Sequence, residues 1–317
     1  MKQSLSFVIP ALNEEESVQQ LHSEILDVCA KNGLEFEIVF VDDGSTDETW
    51  PRIQQLCANH ETTHAIRFRR NFGKAAALRA GAIETKNELI VTMDADLQDD
   101  PVEVPQLMEK LNEGFDVVSG WKKVRNDPLG KTFPSKVFNK LVSWVTGVKL
   151  QDHNCGFKVY RREVFDEVKL YGEMHRFVPV LAASRGFKIA QIPVNHRARE
   201  FGVSKYGLSR LPKGFLDLLT VSFLTGFNNR PQHLLGYVGL ISTTLGLAGV
   251  VWMAIYWVLR MTLFGDWIPL HQRPVLLYSL GALLLGAQLL CMGFLAELIV
   301  AKNQESQVPY SIVDREE

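Results

Sequence analysis

Several common signals are missing from this sequence. Its four cysteines, Cys29, Cys57, Cys155 and Cys291, form no CxxC pair and no metal-ligand spacing. They read as small buried hydrophobes in a reducing compartment rather than as a zinc site or a disulfide framework. There is no charge excess: 34 Lys and Arg stand against 36 Asp and Glu, a formal net charge of −2. Without a basic field or stripe, nucleic acid is not an expected partner. The opening "MKQSLSFVIPALNEEES" has an apolar run of about six residues, too short for a signal peptide, and acids follow at once. The first domain is therefore expected to stay in the cytosol. No GxGxxG follows the first apolar run, which disfavours an ordinary dinucleotide site. Internal repeats and low-complexity tracts are also lacking.

What the chain does have is a change of character near residue 230. Two long apolar stretches come after it, "LLGYVGLISTTLGLAGVVWMAIYWVL" at 234–259 and "VLLYSLGALLLGAQLLCMGFLAELIVA" at 275–301, whose only charged residue is Glu297. Each exceeds the roughly 20 residues needed to cross a bilayer. Two in tandem exceed what a soluble core uses, although a pair of buried core helices is the alternative. A short connection makes them a hairpin with both ends on one side. Lys205, Arg210, Lys213 and Arg230 precede it and Lys302 comes after it, against Arg260 and Arg273 in the loop. This balance favours a cytosolic N-terminal domain on a multi-pass membrane protein. Residues 207–227, apolar but interrupted by Lys213 and Asp217, read as helices lying in the interface or, alternatively, as a packed surface helix. The expected organisation is a globular domain at 1–206, interfacial helices at 207–230, a transmembrane hairpin at 231–302 and a polar tail at 303–317. Small residues in "GLISTTLGLAG" offer a face through which hairpins of two copies could pair.

Within 1–206, strands and helices alternate. Strands are expected at 5–10, 35–41, 63–68, 88–93 and 115–120, with helices after Asn13, at 74–86, from Pro101 to 113 and at 131–147. Asn13 with Glu16, and Ser45 with Glu48, have the spacing of helix starts. Alternating βα units imply an α/β fold, a mostly parallel sheet with helices on both faces. Ligands of such sheets bind at the carboxyl ends of strands, where strand order reverses. Polar clusters fall at those ends: Asn13–Glu14 after the first strand, Asp42–Asp43 after the second, and Asp94–Ala95–Asp96 after the fourth.

Two carboxylates brought together by a backbone turn repel, and a divalent cation relieves that repulsion. Mg2+ and Mn2+ prefer oxygen ligands, and Mg2+ is commonly held by one or two carboxylates plus phosphate oxygens. Asp94 and Asp96, with Gln98 as a further oxygen donor, suit a diphosphate held through a metal. The bland alternative is a solvated acidic loop that caps the next helix.

The motifs "VIPALNEEES", "VDDGSTDETW", "RNFGKAAALRAG", "MDADLQDDP", "DHNCGFKVYRR" and "REFGVSKYG" occur in that order. Together they are similar to family-two glycosyltransferases of GT-A fold. More narrowly they resemble the polyprenyl-phosphate glycosyltransferases, the group of dolichyl-phosphate mannose synthase and the bacterial undecaprenyl-phosphate sugar synthases. The resemblance covers about residues 4–210, and the two-span tail resembles the bacterial members. It implies a nucleotide-binding set of Pro10, Leu12, Glu14, Val41, Asp43, Asp94, Ala95, Asp96, Arg199 and Lys205. Leu12 stands where the family often has Tyr, and Asp42 is implied to support its loop. The implied metal set is Asp94, Asp96 and Gln98 with Mg2+ or Mn2+. Arg199 and Lys205 match a mobile loop that closes over the phosphates. Lys122 falls where relatives often carry Arg and, with Lys131 and Lys136, is a candidate for holding a lipid phosphate. Asp152 matches an acid that orients the acceptor or assists proton transfer, with a turn role as the alternative. Lys122 and Lys205 as solvated charges, and Arg199 as a surface ion pair, are the alternatives for the cations.

The resemblance thus implies inverting transfer from a nucleotide-sugar, a UDP-sugar or GDP-mannose, to a polyprenyl phosphate, with undecaprenyl phosphate preferred. No Glu-Asp dipeptide occurs, although the family pattern often places one as base. A lipid monophosphate needs none. Rivals are transfer to a lipid alcohol such as diacylglycerol and a non-catalytic, membrane-anchored nucleotide-sugar-binding protein. A processive polysaccharide synthase is disfavoured, because no Gln-x-x-Arg-Trp occurs and two spans make no channel.

Overall fold

The computed structural model describes residues 4–122, 129–170, 172–197, 214, 216–218, 220–222, 231–263 and 272–304. The chain divides into two compact units, Met1–Thr225 and Gly226–Glu317.

The first unit is built on seven strands: β1 (Ser4–Ala11), β2 (Glu35–Asp42), β3 (Thr63–Arg67), β4 (Leu89–Thr92), β5 (Val117–Lys122), β6 (Lys158–Arg161) and β7 (Ile189–Val194). Between them run α1 (Val18–Asn32), α2 (Thr49–Asn59), α3 (Lys74–Glu84), α4 (Val104–Asn112), α5 (Leu129–Thr146), α6 (Arg162–Glu167) and α7 (Val178–Ser184), with short 3-10 turns at Pro101–Glu103 and Met174–Arg176. The strand order is β3-β2-β1-β4-β6-β5-β7. Strands β1 to β4 are mutually parallel, β7 is parallel to β5, and β6 runs antiparallel between β4 and β5. The expected mostly parallel sheet is therefore present, with one reversed strand in its middle. β6 and β7 were not anticipated. β6 is four residues long and reads as polar because Lys158 and Arg161 bound it. β7 carries Pro193, which an edge strand tolerates because its missing N–H costs no ladder bond.

Period-two alternation distributes β1 between two cores. Leu5, Phe7 and Ile9 point to one face, where Val18, Leu21 and Ile25 of α1 and Val104, Leu107 and Leu111 of α4 cover them. Val8 points to the other, with Ala75, Leu78 and Ala82 of α3 and Val164, Phe177 and Val178 further along. Burial on both faces is what makes such parallel strands near-continuous apolar runs. Each large side chain so buried contributes roughly 1.5–3 kcal/mol. α3 lies close enough to the sheet to need Gly81: a Cβ there would stand 2.4 Å from Val8 Cγ1 and 3.0 Å from Val41 Cγ2.

Two expected helix starts differ. α1 begins at Val18 rather than at Asn13, because Asn13 takes φ +54°, a left-handed conformation that stops a helix. Ser45 and Glu48 form no capping box. The Ser45 hydroxyl accepts from Asn13 N at 3.0 Å, and Asp47 accepts from Thr49 N at 3.0 Å instead. The helix expected from Pro101 opens as a 3-10 turn, with Asp100 accepting from Val102 N at 3.1 Å. Of the expected interfacial segment, Leu218 and Val221 are buried in the core that includes Val142 of α5, while Leu216 is exposed. The described part thus packs on the first unit.

The second unit is a pair of long helices, α8 (Pro231–Thr262) and α9 (Pro274–Gln304). Each opens with proline, whose absent N–H is harmless at a helix start. Candidate spans cover Leu235–Thr262 and Pro274–Ile299. Their outward faces expose Leu240, Leu245, Trp252, Ile255, Leu277, Leu284 and Leu298, which a core helix of a soluble protein would bury. The unit is a membrane-associating hairpin. The small-residue face considered for pairing copies is used inside it. A Cβ at Gly246 would lie 2.5 Å from Leu283 N, and one at Gly286 2.5 Å from Thr243 N. Ser242 Oγ donates to the Ala282 carbonyl at 2.8 Å across the same seam.

Candidate active site

β1 lies between β2 and β4, so the order of winding reverses there and leaves a crevice at the carboxyl ends of these strands. The loops after β1 and β2 are tied to each other. Asn13 Oδ1 accepts from Thr46 N at 2.9 Å, and Glu14 N donates to Thr49 Oγ1 at 2.8 Å. Asp42, fully buried, accepts from Ser45 N at 2.9 Å and lies 3.0 Å from Arg67 Nε, the supporting role expected of it. Asp43 accepts from Phe72 N at 2.7 Å and Gly73 N at 2.9 Å, so it holds the loop that leads into α3. Burial raises its carboxyl above the usual range despite those two bonds, and Asp42 adds to the rise. Pro10, Leu12 and Glu14 are half-buried on the rim, whereas the Val41 side chain is wholly buried in a cluster with Ala77.

The loop after β4 carries the acids. Asp94 is half-buried, Ala95 buried, and Asp96 8 % exposed. Asp96 Oδ1 accepts from Gln98 N at 3.2 Å. Leu97 comes next at φ +60°, a left-handed conformation that a non-glycine residue adopts only when its surroundings hold it. Gln98 fixes the loop through its backbone: its carbonyl accepts from Arg197 N at 2.9 Å and meets His196 Nδ1 at 3.1 Å. Arg197 also reaches Asp100 Oδ1 and Glu24 Oε2, each at 2.7 Å. The acidic loop is thereby stapled to the segment immediately before residues 198–213.

Beneath it lies a group of charges from β4, β5, β6 and α3. The Lys74 ammonium, at the start of α3, donates to Asp94 Oδ1. Burial alone would raise Asp94, but Lys74 and, more weakly, Lys122 hold it down at about 2. Asp99 is 2 % exposed and its Oδ1 has no hydrogen bond among the described residues. Lys122 Nζ stands 3.7 Å from that oxygen. Burial pushes Asp99 up to about 6 against the pull of Lys122, and Asp94 and Asp96 add to the rise. Lys122 itself is raised: the loss of water opposes its charge, but Asp99, Asp94, Asp152 and the Cys155 thiol together outweigh that. Lys158, on β6, is 2 % exposed and donates to the Cys155 carbonyl; burial lowers its pKa. Burial, then Lys74, keeps the His175 imidazole neutral, down to about 2, and its Nδ1 is buried with no hydrogen bond among the described residues.

Asp152 is 1 % exposed, and its Oδ1 accepts from Asn154 N at 3.0 Å. That is the geometry of a turn residue, next to His153, which burial lowers to about 4. Gly156 lies against the Lys74–Asp94 pair: a Cβ there would lie 3.0 Å from both Asp94 Oδ2 and Lys74 Nζ.

The fold brings Asp94, Ala95, Asp96, Gln98 and Lys122 together, and the buried Asp152 is near enough to act on the Lys122 charge. Arg199 and Lys205 lie outside the described residues, as do the side chains of Lys131 and Lys136. Sequence reasoning missed Lys74, Asp99, Lys158 and His175. Lys74, Asp99 and Lys158 do sit inside three of the six ordered motifs, which was the available signal. Nothing in the sequence marks His175.

A divalent cation suits this donor set. Its hard carboxylate oxygens are those Mg2+ and Mn2+ prefer, one buried oxygen of Asp99 is unsatisfied, and an ammonium already stands as a cation against Asp94. Among the described residues no three His, Cys, Asp or Glu side chains form a cage. The protein would thus supply few ligands and leave room for phosphate and water, the coordination Mg2+ favours.

The comparisons with known proteins agree with this geometry. Residues 6–169 match the family described as Glycosyl transferase family 2, a span that contains every strand-end acid discussed above. Dodecaprenyl-phosphate galacturonate synthase of Rhizobium johnstonii is 38 % identical over 300 residues, covering 93 % of this chain and 87 % of its own. Undecaprenyl-phosphate 4-deoxy-4-formamido-L-arabinose transferase of Klebsiella pneumoniae is 35 % identical over 297 residues, covering 93 % and 88 %. Among solved structures, glucosyl-3-phosphoglycerate synthase from Mycobacterium tuberculosis, in complex with Mn2+, UDP and phosphoglyceric acid, superposes with a TM-score of 0.56 at 20 % identity over 70 % of this chain and 78 % of its own. That likeness is one of fold, and it confirms the GT-A-like mixed sheet. With the acids at the switch point and relatives that match nearly end to end, the chain belongs to glycosyl transferase family 2.

Proposed function

We propose that this glycosyltransferase moves a sugar from a nucleotide-sugar donor to a polyprenyl phosphate, with inversion at the anomeric carbon. The observation that carries the reading is the extent of the match. Relatives named for transfer to dodecaprenyl and undecaprenyl phosphate align over 93 % of the chain, which takes in the hairpin as well as the acid-bearing domain. Undecaprenyl phosphate is the preferred acceptor, and the cytoplasmic membrane, with the first unit in the cytosol, is the preferred location.

The acceptor sets the chemistry. A phosphate monoester has a second pKa near 6, so at cytosolic pH it is largely a dianion and needs no general base. One of its oxygens bonds to the anomeric carbon while the bond from that carbon to the donor's phosphate oxygen breaks. The nucleoside diphosphate leaves with the electron pair, and no proton has to move. Asp94 and Asp96, with Gln98 beside them, would hold a divalent ion, which when bound would supply charge stabilisation at the leaving diphosphate. Lys74 and Lys122 add positive charge to the same cluster. Arg199 and Lys205 are assigned the closing loop over the phosphates. The turn geometry of Asp152 fits an acceptor that requires no base.

The test is transfer of label from a panel of UDP- and GDP-linked sugars to undecaprenyl phosphate, with Mg2+ or Mn2+, by the detergent-solubilised full chain. At least one donor should give a lipid-linked product that EDTA abolishes. Asp96→Asn should lose about 100-fold or more of that turnover while staying folded and membrane-bound. Release of free sugar without any lipid product, or near-normal turnover of the variant, overturns the reading.

A further inference from the structure

The resting state of the acid pair is not vacant of charge. Lys74 donates to Asp94 Oδ1, so the first acid of the pair already has a cation against it. The ion pair is flanked by Gly156, before β6, where a methyl group would crowd both partners at 3.0 Å. Lys74 also sits one residue after Gly73, whose amide, with that of Phe72, is held by Asp43. The root of this lysine is therefore anchored to the loop assigned to the nucleotide.

Charge balance decides which cation can occupy this position. Asp94, Asp96 and Asp99 lie within six residues, and three such carboxylates repel unless cations stand among them. Lys74 and Lys122 supply that charge in the absence of metal. A divalent ion that arrives alone meets an ammonium on its ligand and is repelled by it. A nucleoside diphosphate changes the balance, because its phosphate oxygens can take both the ion and the displaced ammonium.

We propose that Lys74 is a built-in counter-ion that fills the cation position at Asp94 in the empty enzyme and gives it up only when a nucleoside diphosphate arrives, so that metal and donor load together. This rests on the assignment of Asp94 and Asp96 as metal ligands. The coupling is reciprocal: whatever factor the nucleotide adds to metal affinity, the metal adds to nucleotide affinity.

The experiment measures free Mn2+ by electron paramagnetic resonance as it is titrated into the full-length protein in detergent, first alone and then with saturating UDP or, in parallel, GDP. Wild type should bind Mn2+ weakly alone and more tightly with one of the nucleotides. Lys74→Gln should bind Mn2+ alone about three- to tenfold more tightly than wild type, the equivalent of releasing one partly exposed ion pair. The extra affinity gained from the nucleotide should shrink by the same factor. Lys74→Arg, which keeps the charge, should stay as weak as wild type without nucleotide. A lysine that merely braced the fold would weaken metal binding when removed. If Lys74→Gln binds Mn2+ alone no more tightly than wild type, while wild type still binds it with nucleotide, the counter-ion role is wrong and the metal assignment survives. If wild type takes up no Mn2+ with either nucleotide, the metal assignment falls and the inference with it. Lys74→Met carries the same expectation should the Gln variant fail to fold.

Discussion

Lys122 Nζ stands 3.7 Å from Asp99 Oδ1, an oxygen that has no hydrogen bond among the described residues. The lysine is 20 % exposed and the acid 2 %. This is a half-buried pair in which each partner is the main reason the other can remain charged. Lys122→Met should therefore cost roughly 3 kcal/mol, because it leaves a buried carboxylate unpaired. The double variant Lys122→Met, Asp99→Asn should recover much of that loss. Chemical denaturation of both, in detergent, checks the coupling. If Lys122 instead serves only to hold a lipid phosphate, stability will be unchanged in the single variant and only the acceptor KM will rise.

The hairpin makes a prediction that does not depend on the catalytic domain. A Cβ at Gly246 would lie 2.5 Å from Leu283 N and 2.8 Å from Ser279 O, both backbone atoms that cannot step aside. Gly246→Val should force α8 and α9 apart. With S242C and A282C in place, oxidation should cross-link the parent, in which the Ser242 hydroxyl reaches the Ala282 carbonyl at 2.8 Å. The same oxidation should fail in the valine variant, whereas thermal unfolding of the first unit should not move.

His22 predicts an acid sensitivity of the first unit. It is 2 % exposed, its Nε2 lies 2.9 Å from Thr63 Oγ1, and burial, with His60 beside it, lowers it to about 4. The unfolded chain protonates at the ordinary value near 6.5, so it binds more protons than the folded chain between pH 6.5 and about 4. Stability is fully present above pH 6.5 and is lost as pH falls through that window, by about 3 kcal/mol. Denaturation at several pH values should show His22→Gln with a shallower fall than wild type over this range. Parallel curves would remove His22 as the cause.

Much of the crevice could be read from sequence because parallel strands buried on both faces announce themselves. "SFVIP", "EIVFV" and "LIVT" are apolar runs that break into polar residues where the sheet ends. That break marks the acids at 42–43 and 94–96, and length alone marks the hairpin. β6 was hidden because only Val159 and Tyr160 of its four residues give an apolar signal: Lys158 is buried too, with its charge turned onto the Cys155 carbonyl. The capping reading of Ser45 failed for a related reason. Local spacing fitted, but the hydroxyl was already taken by Asn13, 32 residues away. Lys74 is the same case at the site itself. Its partner lies 20 residues on, across a strand, and only the fold joins them.

Gly156 offers the sharpest test of that joining. It lies on the turn before β6, in "DHNCGF", and nothing about its backbone demands glycine, since its φ is not in the left-handed region. Space is what demands it. An added Cβ would stand 3.0 Å from Lys74 Nζ and 3.0 and 3.1 Å from the two Asp94 oxygens. These are the ends of flexible side chains, so the protein can fold around the intrusion. The ammonium and the carboxylate, however, must move by a few tenths of an ångström. Gly156→Ala should thus keep its thermal stability to within about 1 kcal/mol. Sugar transfer should fall by about tenfold to a hundredfold, because a catalytic group displaced by so little loses its aim. A larger residue should separate the two effects further, and Gly156→Val should lose activity completely before it loses its fold. If both variants instead unfold while the surviving protein turns over normally, Gly156 is a packing glycine, and the closeness of β6 to the acid pair has no part in the chemistry.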